Sequence, residues 1–217
     1  MKKLIPVLAL TCLVMLAGCG NITKSKAPPV SVYTLHAEKS EKRSSSSAVI
    51  VQEPEVPAGF DTSRIALHMS GGRRMDFYAD AAWPDALNKV LQDFLIQSAR
   101  FSAISPDSGV NAPYSLQIKV NDFQPVYAAE ATGMPEVRVS LTFRLIMRAD
   151  EKLLRDFTLT ERMPATANTI TAITGDLETL LRKIVATGLS RVAKDVAIKK
   201  APQPAATPAT VKEQKLP

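Results

Sequence analysis

Two cysteines, two histidines and one tryptophan in 217 residues leave little material for several kinds of chemistry. Cys12 lies inside an apolar N-terminal run and would leave with it, so only Cys19 persists after processing. No disulfide can then close within the chain, and stability must come from a packed core. His36 and His68 are far apart in sequence, and no Cys, Asp or Glu spacing around them builds a metal site. No Gly-x-Ser-x-Gly turn presents a nucleophile. The one glycine pair, Gly71-Gly72, is followed by neither Lys-Ser/Thr nor a helix start, so it is no phosphate loop. Asp76 and Asp80 are four apart but lie ahead of a helix, with nothing to suggest acid–base work. The formal charge of +6 is spread along the chain, without a block of five or more like charges. Nucleic-acid binding therefore has little support. The expectation is a protein without catalytic, metal or cofactor residues.

What is present begins at the N-terminus. Lys2 and Lys3 precede an apolar run from Leu4, and the run closes on Leu16-Ala17-Gly18-Cys19. A basic start, a short apolar stretch and small residues at its end form a secretory signal. At roughly 15 residues, interrupted by Pro6, it falls short of the about 20 needed to span a bilayer. Leu-Ala-Gly-Cys resembles the lipobox of bacterial lipoproteins at all four positions. The resemblance implies cleavage before Cys19, an S-diacylglycerol thioether on its sulfur, and an N-acyl group on the new α-amine. One acyl chain binds membrane only marginally, at about 0.8 kcal/mol per buried CH₂, and three chains together would not release. Gly20-Asn21 follow the cysteine. In enterobacterial lipoproteins an Asp there commonly retains the protein in the inner membrane. Its absence points to the outer membrane, facing the periplasm. Residues 19–30 read as an extended linker, stiffened by Pro28-Pro29.

From residue 31 the pattern is that of a folded domain. Val30–Leu35 has strand character, 36–47 is polar and aperiodic, and Ala48–Gln52 is a second strand ended by Pro54, Pro57 and Gly59. Residues 64–69 and 75–78 alternate on either side of Gly71-Gly72, a hairpin signal. Trp83-Pro84-Asp85 is expected to open a helix reaching Arg100, with the stripe Leu87, Val90, Leu91, Phe94, Leu95. Phe101–Ile104 reads as a short strand. Three alternating strands follow at about 114–120, 137–147 and 153–159, with Leu153, Phe157 and Leu159 sharing a face of the last. Residues 124–136, carrying Pro125, Gly133, Met134 and Pro135, read as a long mobile loop. A closing helix is expected over 175–198, capped by Thr174, with Asp176 and Glu178 in its first turn and lysines at its end. It either lies on a membrane or packs on the sheet. Its acids and bases separate by end and not by face, which favours the sheet. The expected fold is α+β: two layers, a mainly antiparallel sheet with two amphipathic helices packed on one face. The boundaries are 1–18 signal, 19–30 linker, 31–199 domain and 200–217 a disordered Pro/Ala/Lys tail. Tyr78 and Trp83, aromatics beside an apolar helix, and Met134 in the loop are candidate partner contacts.

The order of these features resembles the ABC-type transport auxiliary lipoproteins, the group that includes the lipoprotein of the paraquat-inducible membrane operon. The matching features are the lipobox, Tyr33-Thr34-Leu35, Val49-Ile50-Val51 with its proline-rich turn, and Arg64-Ile65. Further along they are Tyr78 with Trp83-Pro84, Leu116-Gln117-Ile118 with Phe123, the strand 137–147 and the terminal helix. The resemblance implies a non-catalytic subunit, partnered by an MCE-domain protein and inner-membrane transporter subunits in moving lipid between membranes. Without a P-loop it would not be the ATPase. Its part would be to hold the distal end of the MCE assembly at the outer membrane. Free sheet edges would allow a homo-oligomer. The alternative is a structural or envelope-binding lipoprotein with no transport role. Mass spectrometry of the mature protein is expected to find Cys19 first, carrying diacylglycerol and a further acyl group; an unmodified thiol or another start site would contradict the lipobox.

Overall fold

The computed structural model describes residues 29–38, 48–70, 75–128 and 133–198. Cys19, the Gly71-Gly72 turn and the 200–217 tail lie outside the described residues. Three long strands form the body: β6 (Tyr114–Tyr127), β7 (Glu136–Met147) and β8 (Lys152–Pro164). They pair antiparallel in sequence order, with Ile118 opposite Phe143 and Phe143 opposite Phe157. On β7 the alternation is unbroken, and Val137, Val139, Leu141, Phe143 and Leu145 are all buried. On β6 it changes phase. Leu116, Ile118 and Val120 face the core, and beyond them so do Phe123 and Tyr127. A bulge between Val120 and Asp122 absorbs Asn121 and resets the parity. The strand therefore continues to Tyr127, through residues expected to be loop.

The other edge of β6 is shared. Near its start it pairs in parallel with β2 (Val49–Val51), and near its end in parallel with β3 (Arg64–Met69). β2 carries β5 (Ala103–Ile104) on its far side. β3 pairs antiparallel with β4 (Met75–Ala82), and β1 (Ser31–Val32) adds in parallel to β4. The eight strands form one mixed, mainly antiparallel sheet. All three residues of β2 are buried, as expected of a continuous apolar strand covered on both faces. The first strand is shorter than its sequence suggests. Tyr33 N–H makes the last bond to β4, at 2.8 Å to Ala82 O, and the chain then leaves the sheet.

Both helices cover one face. α1 (Leu87–Ser98) buries Leu87, Leu91, Phe94 and Leu95, and Gln92 Nε2 donates to Val51 O at 3.0 Å. It starts after Trp83-Pro84-Asp85, not on them. Trp83 N–H donates to Ser63 O at 2.6 Å, which holds those residues as a turn, while Asp85 accepts from Ala86 N–H at 2.7 Å. α2 (Ile170–Ile198) begins five residues before the expected start and is 29 residues long. Its cap is Thr169, whose Oγ1 accepts from Ala172 N–H at 3.3 Å. Thr174 lies inside the helix and returns its hydroxyl to Ile170 O at 2.9 Å. Asp176 and Glu178 are accordingly beyond the first turn, which contains no acid. The extension uses Thr and Ile, poor helix formers by themselves. Packing overrides propensity there, since Ile173 is fully buried.

The last strand also differs in one face. A bulge opposite Leu145 and Ile146 turns Leu153 outward, 49 % exposed, and lets Leu154 pack against the core instead. Phe157 remains inward, its ring stacked on that of Phe143 with centroids 5.2 Å apart. α2 crosses this pair at Gly188, where an added Cβ would overlap the Phe143 ring. Phe143 is fully buried and has no space to withdraw into. Gly188→Ala is expected to destabilise the fold by about 1–3 kcal/mol in urea unfolding, despite alanine's better helix propensity. Phe143→Leu in the same chain should recover part of that loss.

Candidate functional site

The segment that leaves β1 runs as an extended strap along α2. Tyr33, Leu35 and Ala37 pack against the core, and the residues between them turn outward. Three polar links fasten it. The Tyr33 and Thr171 hydroxyls share a hydrogen bond of 3.3 Å. His36 N–H donates to Glu178 Oε2 at 2.9 Å, with the ring Nδ1 3.4 Å from the same oxygen. Arg182 donates from Nη1 to Glu38 at 3.0 Å and from Nη2 to Glu178 at 2.7 Å. The spacing follows from backbone geometry. Five residues of extended chain advance roughly 17 Å, and eleven residues of helix advance the same distance. Strap and helix thus run parallel and in step, from Tyr33 beside Thr171 to Glu38 beside Arg182. No periodicity in the sequence signals this pairing, because each partner sits on a different kind of element.

A second polar chain closes the start of α2. Tyr127 donates its hydroxyl to Asn168 Oδ1 at 2.9 Å. Its single proton is then committed, so Tyr78, 2.7 Å away, is the donor to Tyr127. Burial and this hydrogen bond raise the Tyr78 phenol far above its ordinary range. In the second turn of α2, Asp176 is 5 % exposed and accepts from Thr166 N–H at 2.8 Å. Tyr78 is thus half-buried and bonded within the chain. Trp83 is 3 % exposed, its ring centroid 6.0 Å from that of Phe123, and presents no surface to a partner in this fold. Met134, between β6 and β7, is 51 % exposed. Among the described residues no group of His, Cys, Asp or Glu could hold a metal ion. Among them, too, no helix is long and apolar enough to cross a membrane.

The face of the sheet away from the helices carries a half-buried carboxylate. Asp122 follows the β6 bulge, and its Oδ1 has no hydrogen-bond partner. Burial raises its carboxyl above the usual range, against the opposing effects of the Gln124 hydrogen bond, Arg138, Phe123 N–H and His68.

The strap is also where family likeness begins. The sequence profile of the ABC-type transport auxiliary lipoprotein component matches residues 33–187, from the first strap residue to the third turn before the end of α2. The chain belongs to this family. No curated protein matches it in sequence. Among solved structures it is similar to the Xanthomonas campestris protein XCC0632, with a TM-score of 0.68 and 17% identity, covering 79% of this chain and 99% of that one. An uncharacterized protein gives a TM-score of 0.60 at 12% identity, over 76% and 99% of the two chains. At such identities the likeness extends to the fold alone.

Two outcomes follow. Glu178→Ala should release the His36 link and leave Arg182 with Glu38 alone, speeding hydrogen exchange at the His36 amide while lowering stability by only about 1–2 kcal/mol. Asp122→Asn should stabilise the protein at pH 7. The raised carboxyl favours the protonated form in the fold, so its contribution is present at low pH and lost as pH rises through its folded pKa. The gain in Tm over the unaltered chain should vanish below the ordinary aspartate range.

Proposed function

We propose that this lipoprotein is a non-catalytic component of an ABC/MCE-type lipid transport system, anchored by acylated Cys19 in the outer membrane and facing the periplasm. Its role is to dock the MCE assembly there. The observation that carries this reading is the continuity from anchor to fold. The lipobox cysteine leads through a short proline-stiffened linker into a strap fastened along α2. The linker then joins the domain at one fixed place on its surface, so the tethered domain can offer the same surface to each partner. Family membership supplies the transport context. Met134 is the exposed apolar side chain proposed to meet the partner, while Tyr78 acts by holding the start of α2. β8 has an edge paired to no other strand among the described residues, and it is the surface offered for self-association.

The test is affinity recovery from envelope membranes with Cys19 intact. An MCE-domain protein and transporter subunits should be recovered, and Met134→Glu should reduce their yield several-fold without altering thermal unfolding. Recovery of envelope structural components alone would favour the alternative, a lipoprotein with no transport role. Cys19→Ala should move the protein from the outer-membrane fraction to the soluble periplasm.

A further inference from the structure

A groove of about 290 Å³ lies between the C-terminal end of α1 and the second half of α2. Leu189, Ala186 and Ala193 give it an aliphatic floor, and Arg100, Arg182 and Lys194 stand around it. The Glu38 carboxylate at its edge is taken by Arg182. Arg100 and Lys194 have no ion-pair partner among the described residues. The buried Arg182 Nε also lacks an acceptor. Unneutralised cations beside an apolar floor are costly to cover with anything but an anion.

This chain has no suitable occupant of its own. The undescribed segments 19–28, 39–47, 71–74 and 199–217 each carry an excess of Lys and Arg over acids. The remaining one, 129–132, holds Glu130 but follows Tyr127, which is bonded beside the start of α2, many turns from Lys194. A second copy presenting the same cationic face would be repelled. An extended peptide would need backbone partners, and the groove offers little beyond the Ser98 and Ser190 hydroxyls. A helix about 10 Å across would not enter so small a volume.

We propose that this groove binds an anionic amphiphile, with an acyl chain on the aliphatic floor and a phosphate or carboxylate head between Arg100 and Lys194. The site lies at the low end of the size of small-ligand pockets, enough for part of one chain and not for a whole two-chain lipid. It stands on the groove alone, so failure to recover an MCE partner would leave it intact.

Titration calorimetry on the full chain carrying Cys19→Ala, which cannot bear acyl groups of its own, provides the test. Dihexanoyl phosphatidylglycerol below its micellar concentration should bind, and the zwitterionic dihexanoyl phosphatidylcholine should bind about tenfold more weakly or worse. Arg100→Glu with Lys194→Glu should remove the difference between the two lipids. The milder Arg100→Gln with Lys194→Gln should reduce it with unfolding unchanged. Inorganic phosphate should bind far more weakly than phosphatidylglycerol. Equal binding of the two lipids would overturn the proposal. So would phosphate binding as tightly as the lipid, which would mean an ion site without a chain. Tighter binding of hexaglutamate would instead identify an acidic-protein surface and likewise overturn it.

Discussion

The seating of α2 on the inner face of β7 and β8 is the constraint on which the rest depends. Neither layer is stable alone. The sheet has a continuous apolar face from Val137 to Leu145, and the helix has a stripe from Ile173 to Val196. Each is the other's cover. Gly188 permits the close approach, and the stacked Phe143 and Phe157 rings form the surface on which it rests. α2 also supplies Thr171, Glu178 and Arg182, the side chains that fasten the strap beyond β1, so the course of the strap is a consequence of this one packing. α1 is secondary: it closes the part of the face above β2 and β5 that α2 does not reach.

Much of this layout was legible in the sequence because it rests on periodicity. β7 alternates without interruption, the α1 stripe returns every third or fourth residue, and β2 is an unbroken apolar run. The α+β class and the shared face for both helices follow from those patterns. What could not be read has a physical cause in each case. At Asn121 one inserted residue exchanges the two faces of β6, so a strand looks as if it ends where it only changes phase. At Leu153 the bulge does the same in reverse. At Thr169–Thr174 the local residues favour extended chain, and only the burial of Ile173 against the sheet makes them helical. Trp83-Pro84-Asp85 has the composition of a helix start but is held as a turn by Ser63.

The polar links show a sharper limit. Lys2, Lys3 and Leu16–Cys19 form a local motif, readable without any fold. Tyr33 with Thr171, His36 with Glu178 and Glu38 with Arg182 join residues more than a hundred positions apart. No window of sequence contains both members. Trp83 illustrates the converse: its composition suggests contact with a partner, whereas its burial assigns it to the core. The even spread of charge along the sequence likewise hides the local excess of cations beside α2, which exists only because the end of α1 brings Arg100 to the groove that Lys194 also lines.

The parallel course of strap and helix has a mechanical consequence. Tension that reaches the domain from its N-terminal side passes through β1 to Tyr33 and acts along the strap's own axis. The three fastenings are then loaded together in shear, not opened one after another as a zipper would be. The two-residue β1 lies ahead of them and yields first, so a pull from that side is absorbed at an expendable edge before it reaches the core.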